Sequence, residues 1–318
     1  MRILIVGAGA MGLSHGWLLS QANEVTFLVR PERVRFYDHD FQLAVHDLRT
    51  EHDDQTCSFR PAVTEVAVAD RYDLVLVMVD RANLASVLPV VSPLVERIPT
   101  VFMLNHWDIE GELGQVLPRS AYLLGFPSQI GGGRDGHCLE VTVFPKGTIL
   151  EAPTAMTRDI LHSVRGVFES AGLHVRWQSD MAGWLAVHSM QQSLTAAPVL
   201  EAGGYENFVH DPAAVTRLVR AFKEGLTVCR RRGIGTWRLW PAALFWLPTP
   251  VVAKLMSGMF QQPETARMVS GHMRHGLADW ITGLNDICTT ARQLGVTTPE
   301  LDAQQAVTSS WLRQTSAN

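Results

Sequence analysis

Cysteine is scarce in this chain of 318 residues: there are four, Cys57, Cys138, Cys229 and Cys288, and none falls in a CxxC pair or at His/Cys ligand spacing. A disulfide framework is therefore excluded as the basis of the fold, no metal site is expected, and a reducing cytoplasm is the simplest compartment. Positive charge is not in excess either. There are 27 basic residues against 31 acidic ones, a net charge of −4, and no basic stripe interleaves with aromatics, which argues against a nucleic-acid partner. Lysine is rarer still, represented only by Lys146, Lys223 and Lys254. Long uninterrupted apolar runs are missing. The most apolar stretch, Trp237 to Phe260, is broken by Pro241, Pro248, Pro250 and Lys254, and does not read as a membrane span. The chain enters directly into an apolar strand, which leaves no room for a cleavable signal peptide.

What is present begins with Ile3-Leu4-Ile5-Val6 running into Gly7-Ala8-Gly9-Ala10-Met11-Gly12. This is a strand, a turn and a helix start. In such a turn Gly7 supplies the bend, Gly9 lets backbone approach a pyrophosphate, and Gly12 allows close packing of helix on strand, while the helix N–H groups face the phosphates. The segment to Leu19 can form a helix, and Glu24 to Val29 reads as the second strand of a βαβ unit. At the end of that strand an NAD site usually places a carboxylate for the ribose 2′-hydroxyl, whereas a 2′-phosphate calls for a cation. Here stand Arg30 and Arg33, so NADP(H) is the expected cofactor.

Asp73 to Val79 and Thr100 to Leu104 are further buried-strand candidates, with a helix from Ala82 to Val91 between them. Residues just beyond the carboxyl ends of such strands line a cofactor crevice, which singles out Asp80-Arg81 and Asn105-His106. Leu139 to Phe144 and Gly147 to Leu150 read as a hairpin or a pair of strands, followed by a helix from Met156 to Ala171 and a strand from His174 to Trp177. From Asp180 onward strand signals vanish and amphipathic helical patterns run to Arg313. The expected fold class is α/β: a doubly wound Rossmann-type domain over 1–178 and an all-α domain over 179–318 for substrate binding and dimerisation. The short run Arg230-Arg231-Arg232 reads as the polar end of a helix.

These segments together resemble the ketopantoate reductase family. The resemblance is carried by the glycine turn, Val29-Arg30, the strand ending at Asn105, the turn from Ser128 to Gly136, Trp184-Leu185-Ala186-Val187-His188 through Leu194-Thr195-Ala196, and near the end Asp279-Trp280-Ile281-Thr282-Gly283 and Gly295 to Pro299. It spans nearly the whole chain, although its amino-terminal part is shared by many dehydrogenases and only the later segments are specific. It implies a Rossmann domain joined to a helical one, with NADPH and an α-keto acid meeting in the cleft. Asn105 matches a family asparagine beside nicotinamide and substrate, and Arg81 stands where the family often has a lysine near the cofactor. The departures are at the chemistry. The family's proton-donating lysine falls at Trp184, asparagines fall at His188 and Gln192, and the substrate-holding glutamate falls at Leu277. The three lysines of the chain lie far from that segment. Tryptophan cannot donate a useful proton, and leucine accepts no hydrogen bond.

Carbonyl reduction needs a hydride, a proton source and stabilisation of the developing oxyanion. His188, one turn beyond the lysine position, is the expected proton donor, since a histidine's ordinary pKa of about 6.5 suits the task. Asp279 could orient it, and Asn105 serves both catalysis and cofactor. Trp184, Gln192, Leu277 and His106 are the expected substrate-pocket residues. Packed or solvated structural roles stand beside each of these assignments. With Trp237, Trp240, Phe245, Trp246, Met256, Met259 and Phe260, the helical domain offers either an apolar pocket wall or ordinary core and a homodimer contact. Three readings follow: an NADPH-dependent reductase of a bulky, rather apolar carbonyl, imine or activated alkene; a non-redox isomerase, cyclase or lyase on the same scaffold; and an NADP(H)-binding regulatory protein.

Overall fold

The computed structural model describes residues 1–50, 52–155, 157–263, 265–266, 269–270, 273 and 276–316. Two compact units divide the chain, the first Met1–Leu104 with Glu110–Met181, the second Asn105–Ile109 with Ala182–Asn318. The main change of unit falls between Met181 and Ala182. Asn105–Ile109, which follows a strand of the first unit, belongs to the second. Trp107 explains why: its indole is buried in the helical core, and its Nε1–H donates to Thr290 Oγ1 at 3.0 Å.

In the first unit a sheet of eight strands runs in the order β12, β11, β8, β7, β6, β1, β2, β5. The strands are β1 (Arg2–Val6), β2 (Glu24–Leu28), β5 (Ala62–Thr64), β6 (Leu74–Val77), β7 (Thr100–Met103), β8 (Leu123–Phe126), β11 (Thr148–Glu151) and β12 (Val175–Gln178). Neighbours are parallel except for β8 with β11. Such central strands are buried on both faces, and the unbroken apolar runs of β1, β6 and β7 match that demand. The helices of this unit are α1 (Ala10–Leu19), α2 (Val34–Tyr37), α3 (Arg81–Val95), α4 (Ile109–Leu113), which opens on the last residue of the Asn105 segment, and α5 (Arg158–Ser170). Met156, where the sequence-based helix began, lies outside the described residues.

A second sheet, beyond the doubly wound one expected, has four strands in the order β4, β3, β10, β9: β3 (Phe41–Asp47), β4 (Gln55–Phe59), β9 (Ile130–Asp135) and β10 (Cys138–Val143). Its signal was available in the alternation of buried Phe41, Leu43 and Val45 along β3. The segments expected as a hairpin or strand pair at 139–144 and 147–150 are strands β10 and β11, but they lie in different sheets. β10 pairs with β3 and β9, and β11 with β8 and β12. Gly132 lies within β9 at φ +147, and β10 passes too close for a side chain there: a Cβ would sit 1.9 Å from the carbonyl oxygen of Glu140.

The second unit is helical in its described residues: α6 (Met181–Glu201), α7 (Tyr205–Val209), α8 (Pro212–Arg231), α9 (Thr249–Phe260), α10 (Leu277–Gln293) and α11 (Pro299–Ser316). The sequence-based helical reading also crosses positions 264, 267–268, 271–272 and 274–275, which lie outside the description. α6 is the centre. A Cβ on Gly225 of α8 would lie 2.2 Å from Met190 Sδ, and one on Gly283 of α10 would lie 2.2 Å from Ser193 Oγ, so both helices press onto α6 where they carry no side chain. The apolar stretch 237–260 divides between the two expected roles. Phe245, Val252, Met256 and Phe260 join the core, while Trp237, Trp240 and Trp246 are about 60% exposed. Cys229 and Cys288 are buried, and burial pushes their thiols up to about 12 and about 11. Among the described residues no helix is long and apolar enough to cross a membrane, and no group of metal-ligating side chains occurs.

His15 on α1 is fully buried; its Nδ1–H donates to the Met11 carbonyl at 2.8 Å, and burial lowers its pKa to about 4. A proton taken up by the unfolded chain as pH falls through about 6.5 is refused by the folded chain until about 4. Stability is therefore lost across that window, by about 3 kcal/mol. The lowered carboxylates act below it: hydrogen bonds from the Arg2 side chain and backbone hold Asp73 at about 2. Urea unfolding of the wild type should weaken from pH 7 to pH 4, and His15→Gln should flatten that slope; parallel curves would contradict this.

Candidate functional site

In the first unit the glycine turn is built from contacts that only hydrogen side chains permit. Gly7 has φ +114, and a Cβ there would meet the Met78 carbonyl oxygen at 2.4 Å. A Cβ on Gly12 would meet the Gly7 carbonyl oxygen at 1.8 Å. Both glycines are demanded by the fold. Gly9 is different: at φ −77 and ψ −173 its backbone suits any residue, and a Cβ would have no protein atom within 4 Å. Ala8 is buried, while Gly9 is exposed. The first helical hydrogen bond runs from Leu13 N–H to Gly9 O at 2.9 Å, so the N–H groups of Ala10, Met11 and Gly12 have no partner within the helix and can serve an anion.

Beyond β2, Arg30 is exposed and its Nε lies 3.4 Å from Glu32, a surface pair of little net strength. Arg33 places its guanidinium 4.8 Å from the centre of the Phe36 ring. At the carboxyl end of β6, Asp80 is the N-cap of α3 and Arg81 its first residue. One group in this region had no signal in the sequence: Tyr37 of α2 donates its hydroxyl to the Ala8 carbonyl at 2.8 Å, across a separation that only the fold closes.

In the second unit Trp184, His188 and Gln192 share one strip of α6, and Asn105 is bonded to it. Between Gly183 and Val199 every residue is buried except Trp184, His188, Gln191 and Gln192. These positions share one helical face. Trp184 and His188 stack with ring centres 4.8 Å apart and planes 9° from parallel. Gln192 Oε1 accepts from Asn105 Nδ2 at 2.6 Å, whereas Asn105 Oδ1 is buried without a partner among the described residues. The Asn105 segment is clamped: Arg232 donates to the Trp107 carbonyl at 2.7 Å, stacks on the Trp107 ring at 4.7 Å, and pairs with Asp108. Arg232 thus does more than end a helix. His106 is 97% buried and its Nδ1 accepts from the Asp108 N–H at 2.9 Å, which closes the turn. Leu277 opens α10 and packs against the core, and Asp279 stands in the first turn, where a carboxylate suits the helix dipole. Gln191 joins the strip although it belongs to no recognisable motif.

The arrangement offers two chemistries. The turn supplies free N–H groups beside a glycine that leaves room for a ligand. The α6 strip supplies a flat aromatic face next to polar amide groups.

Residues 3–150 match the model of the family described as ketopantoate reductase PanE/ApbA. A 2-dehydropantoate 2-reductase of Listeria monocytogenes is 27% identical over 141 residues, which cover 42% of this chain and 44% of that protein. The chain therefore matches less than half the length of this curated relative. Among solved structures, D-mandelate dehydrogenase with NADH and anilino(oxo)acetate superposes with a TM-score of 0.76 at 17% identity, covering 98% of this chain and 97% of that one. A dimeric ketopantoate reductase from Staphylococcus aureus superposes with a TM-score of 0.63 at 15% identity, over 98% and 100%. Residues 3–150 are thus similar in sequence to the ketopantoate reductases, and nearly the whole chain shares the fold of these solved structures.

The two kinds of glycine predict opposite outcomes. Gly12→Ala should lift α1 off β1 and cost about 2 kcal/mol or more, lowering the melting temperature, whereas Gly9→Ala should melt within about a degree of wild type. Equal losses in the two variants would contradict the assignment.

Proposed function

We propose that this relative of the ketopantoate reductases is an NADP(H)-dependent reductase of a bulky, rather apolar carbonyl, imine or activated-alkene substrate, and that it does not reduce ketopantoate. The observation that carries the reading is Gly9. Neither backbone strain nor crowding explains a glycine there, and close approach of a ligand's diphosphate does. In this reading the N–H groups of Ala10 to Gly12 receive the diphosphate, and Arg30, with Arg33 beside it, answers the 2′-phosphate. Asp80 and Arg81, at a strand end, complete the cofactor side. A bound nicotinamide supplies the hydride.

The remaining steps fall to the chain's own residues. Asn105, with one amide end held by Gln192, offers its oxygen as an acceptor to cofactor or substrate. His188 gives the proton that a reduced carbonyl requires, with Asp279 as its orienting carboxylate and His106 shaping the turn beside Asn105. Trp184 and Leu277, where the family resemblance leads one to expect lysine and glutamate, remove the charges that hold a short polar keto acid. The stacked Trp184 and His188 rings present a face suited to a planar apolar group. The D-mandelate dehydrogenase of the same fold is bound to anilino(oxo)acetate, in which an N–H joins an aromatic ring to an oxoacetate group. Aryl α-oxo acids are accordingly the first substrates to try.

A second reading is favoured by the same Trp184 and Leu277. Without lysine or glutamate the strip could bind and orient a substrate for a non-redox isomerisation, cyclisation or elimination. A second copy of the chain is the proposed partner, seated on the exposed side of the stretch containing Trp237, Trp240, Trp246 and Leu255; the cytoplasm is the proposed compartment. Leu255→Asp should then convert a dimer to a monomer in light scattering, and an unchanged mass would place the contact elsewhere.

Calorimetric titration with NADPH and NADH tests the main reading. Wild-type protein should prefer NADPH, Arg30→Ala should weaken NADPH by about tenfold or more, and Gly9→Val should abolish binding while the fold survives. No binding of either nucleotide would sink the reductase reading. Turnover with NADPH absorbance flat would favour the non-redox alternative.

A further inference from the structure

The short helix α2 ends in Tyr37, whose ring is 94% buried among Phe36, edge-on at 5.0 Å, and Phe41, stacked at 6.0 Å. This aromatic group also includes His137 of the turn between β9 and β10, stacked on Phe36 at 4.5 Å and bonded through Nε2 to the Phe36 carbonyl at 2.8 Å. Tyr37 is therefore held on several sides, and its hydroxyl reaches the Ala8 carbonyl at 2.8 Å. That oxygen belongs to the peptide joining Ala8 to Gly9. A trans peptide is planar, so its C=O and N–H point in opposite directions. Holding the Ala8 oxygen inward against Tyr37 turns the Gly9 N–H outward.

An anchor is needed here because Ala8 is flanked by Gly7 and Gly9. Glycine adopts many backbone conformations at little steric cost, so a peptide between two of them can rotate easily unless something fixes it. The free choice of φ that lets Gly7 make the bend also leaves the turn loose. A buried hydroxyl, shielded from competing water, is a suitable anchor.

We infer that Tyr37 is a positioning residue for dinucleotide binding: by fixing the Ala8–Gly9 peptide it presets the turn's outward N–H for the diphosphate, without itself touching the nucleotide. The inference rests on the cofactor reading above. It assigns to α2 a role that neither Arg30 nor Arg33 performs, since those answer the 2′-phosphate and Tyr37 acts only through the diphosphate.

The test is Tyr37→Phe, which keeps the ring and deletes only the hydroxyl. Calorimetric titrations with NADPH, which carries a diphosphate, and with adenosine 2′-monophosphate, which does not, separate the two contacts. The expected result is about tenfold weaker NADPH binding, the equivalent of one hydrogen bond, with the mononucleotide unchanged. Phe41→Leu loosens the same aromatic group but leaves the hydroxyl, and should weaken neither ligand selectively. NADPH binding unchanged in Tyr37→Phe, an equal loss for both ligands, or a selective loss in Phe41→Leu would overturn the inference while leaving the cofactor reading in place. Failure of the wild-type chain to bind NADPH would overturn both.

Discussion

The approach of Gly12 to the carbonyl of Gly7 is the contact on which the first unit depends. With 1.8 Å between that oxygen and the place a Cβ would occupy, α1 can lie against β1 only because position 12 has no side chain. Gly16 repeats the device one turn later, where a Cβ would sit 2.1 Å from the Phe27 ring of β2. The helix is thereby pinned close to two adjacent strands, and its amino end is fixed in space. The buried His15 and Leu13 fill the interior behind it, and the small sheet packs on it through β9. A helix held this rigidly presents its free N–H groups in a fixed direction, and preorganisation of that kind is what makes a helix terminus useful to an anion.

The second unit meets a comparable constraint in a different way. α6 is buried almost throughout, with α8 pressed on it at Gly225 and α10 at Gly283. Little of its surface is left over, and that remainder is the strip of Trp184, His188, Gln191 and Gln192. Chemistry placed there is held by a helix that cannot shift without disturbing the core. Asn105 is brought to the same strip by Trp107, Asp108 and Arg232, so a segment that follows a Rossmann strand is fixed by helical neighbours. Trp184 stacked on His188 gives the strip a flat aromatic end.

Much of this was legible in the residues because the signals were local. The glycine turn, the unbroken apolar runs of β1, β6 and β7, and the i, i+4, i+8 spacing of Trp184, His188 and Gln192 each lie within a short window. What escaped depends on distant pairing. The four-stranded sheet joins β3 with β10 across almost a hundred residues, and its strands are half-exposed, with alternation easily read as loop. Tyr37 sits past the end of the recognisable βαβ motif and gains meaning only through its bond to Ala8. The role of Arg232 was hidden for the same reason: three adjacent arginines look like a polar helix end, and only the fold shows that the last of them closes on Trp107.

Amide hydrogen exchange of the full chain with and without NADPH tests the central claim most directly. A diphosphate received by the turn should slow exchange at Gly9 to Gly12 more than anywhere else in the first unit, because those N–H groups gain acceptors they lack in the free protein. NADPH binding that leaves these amides unprotected, while slowing exchange elsewhere, would contradict the account and move the nucleotide away from the glycine turn.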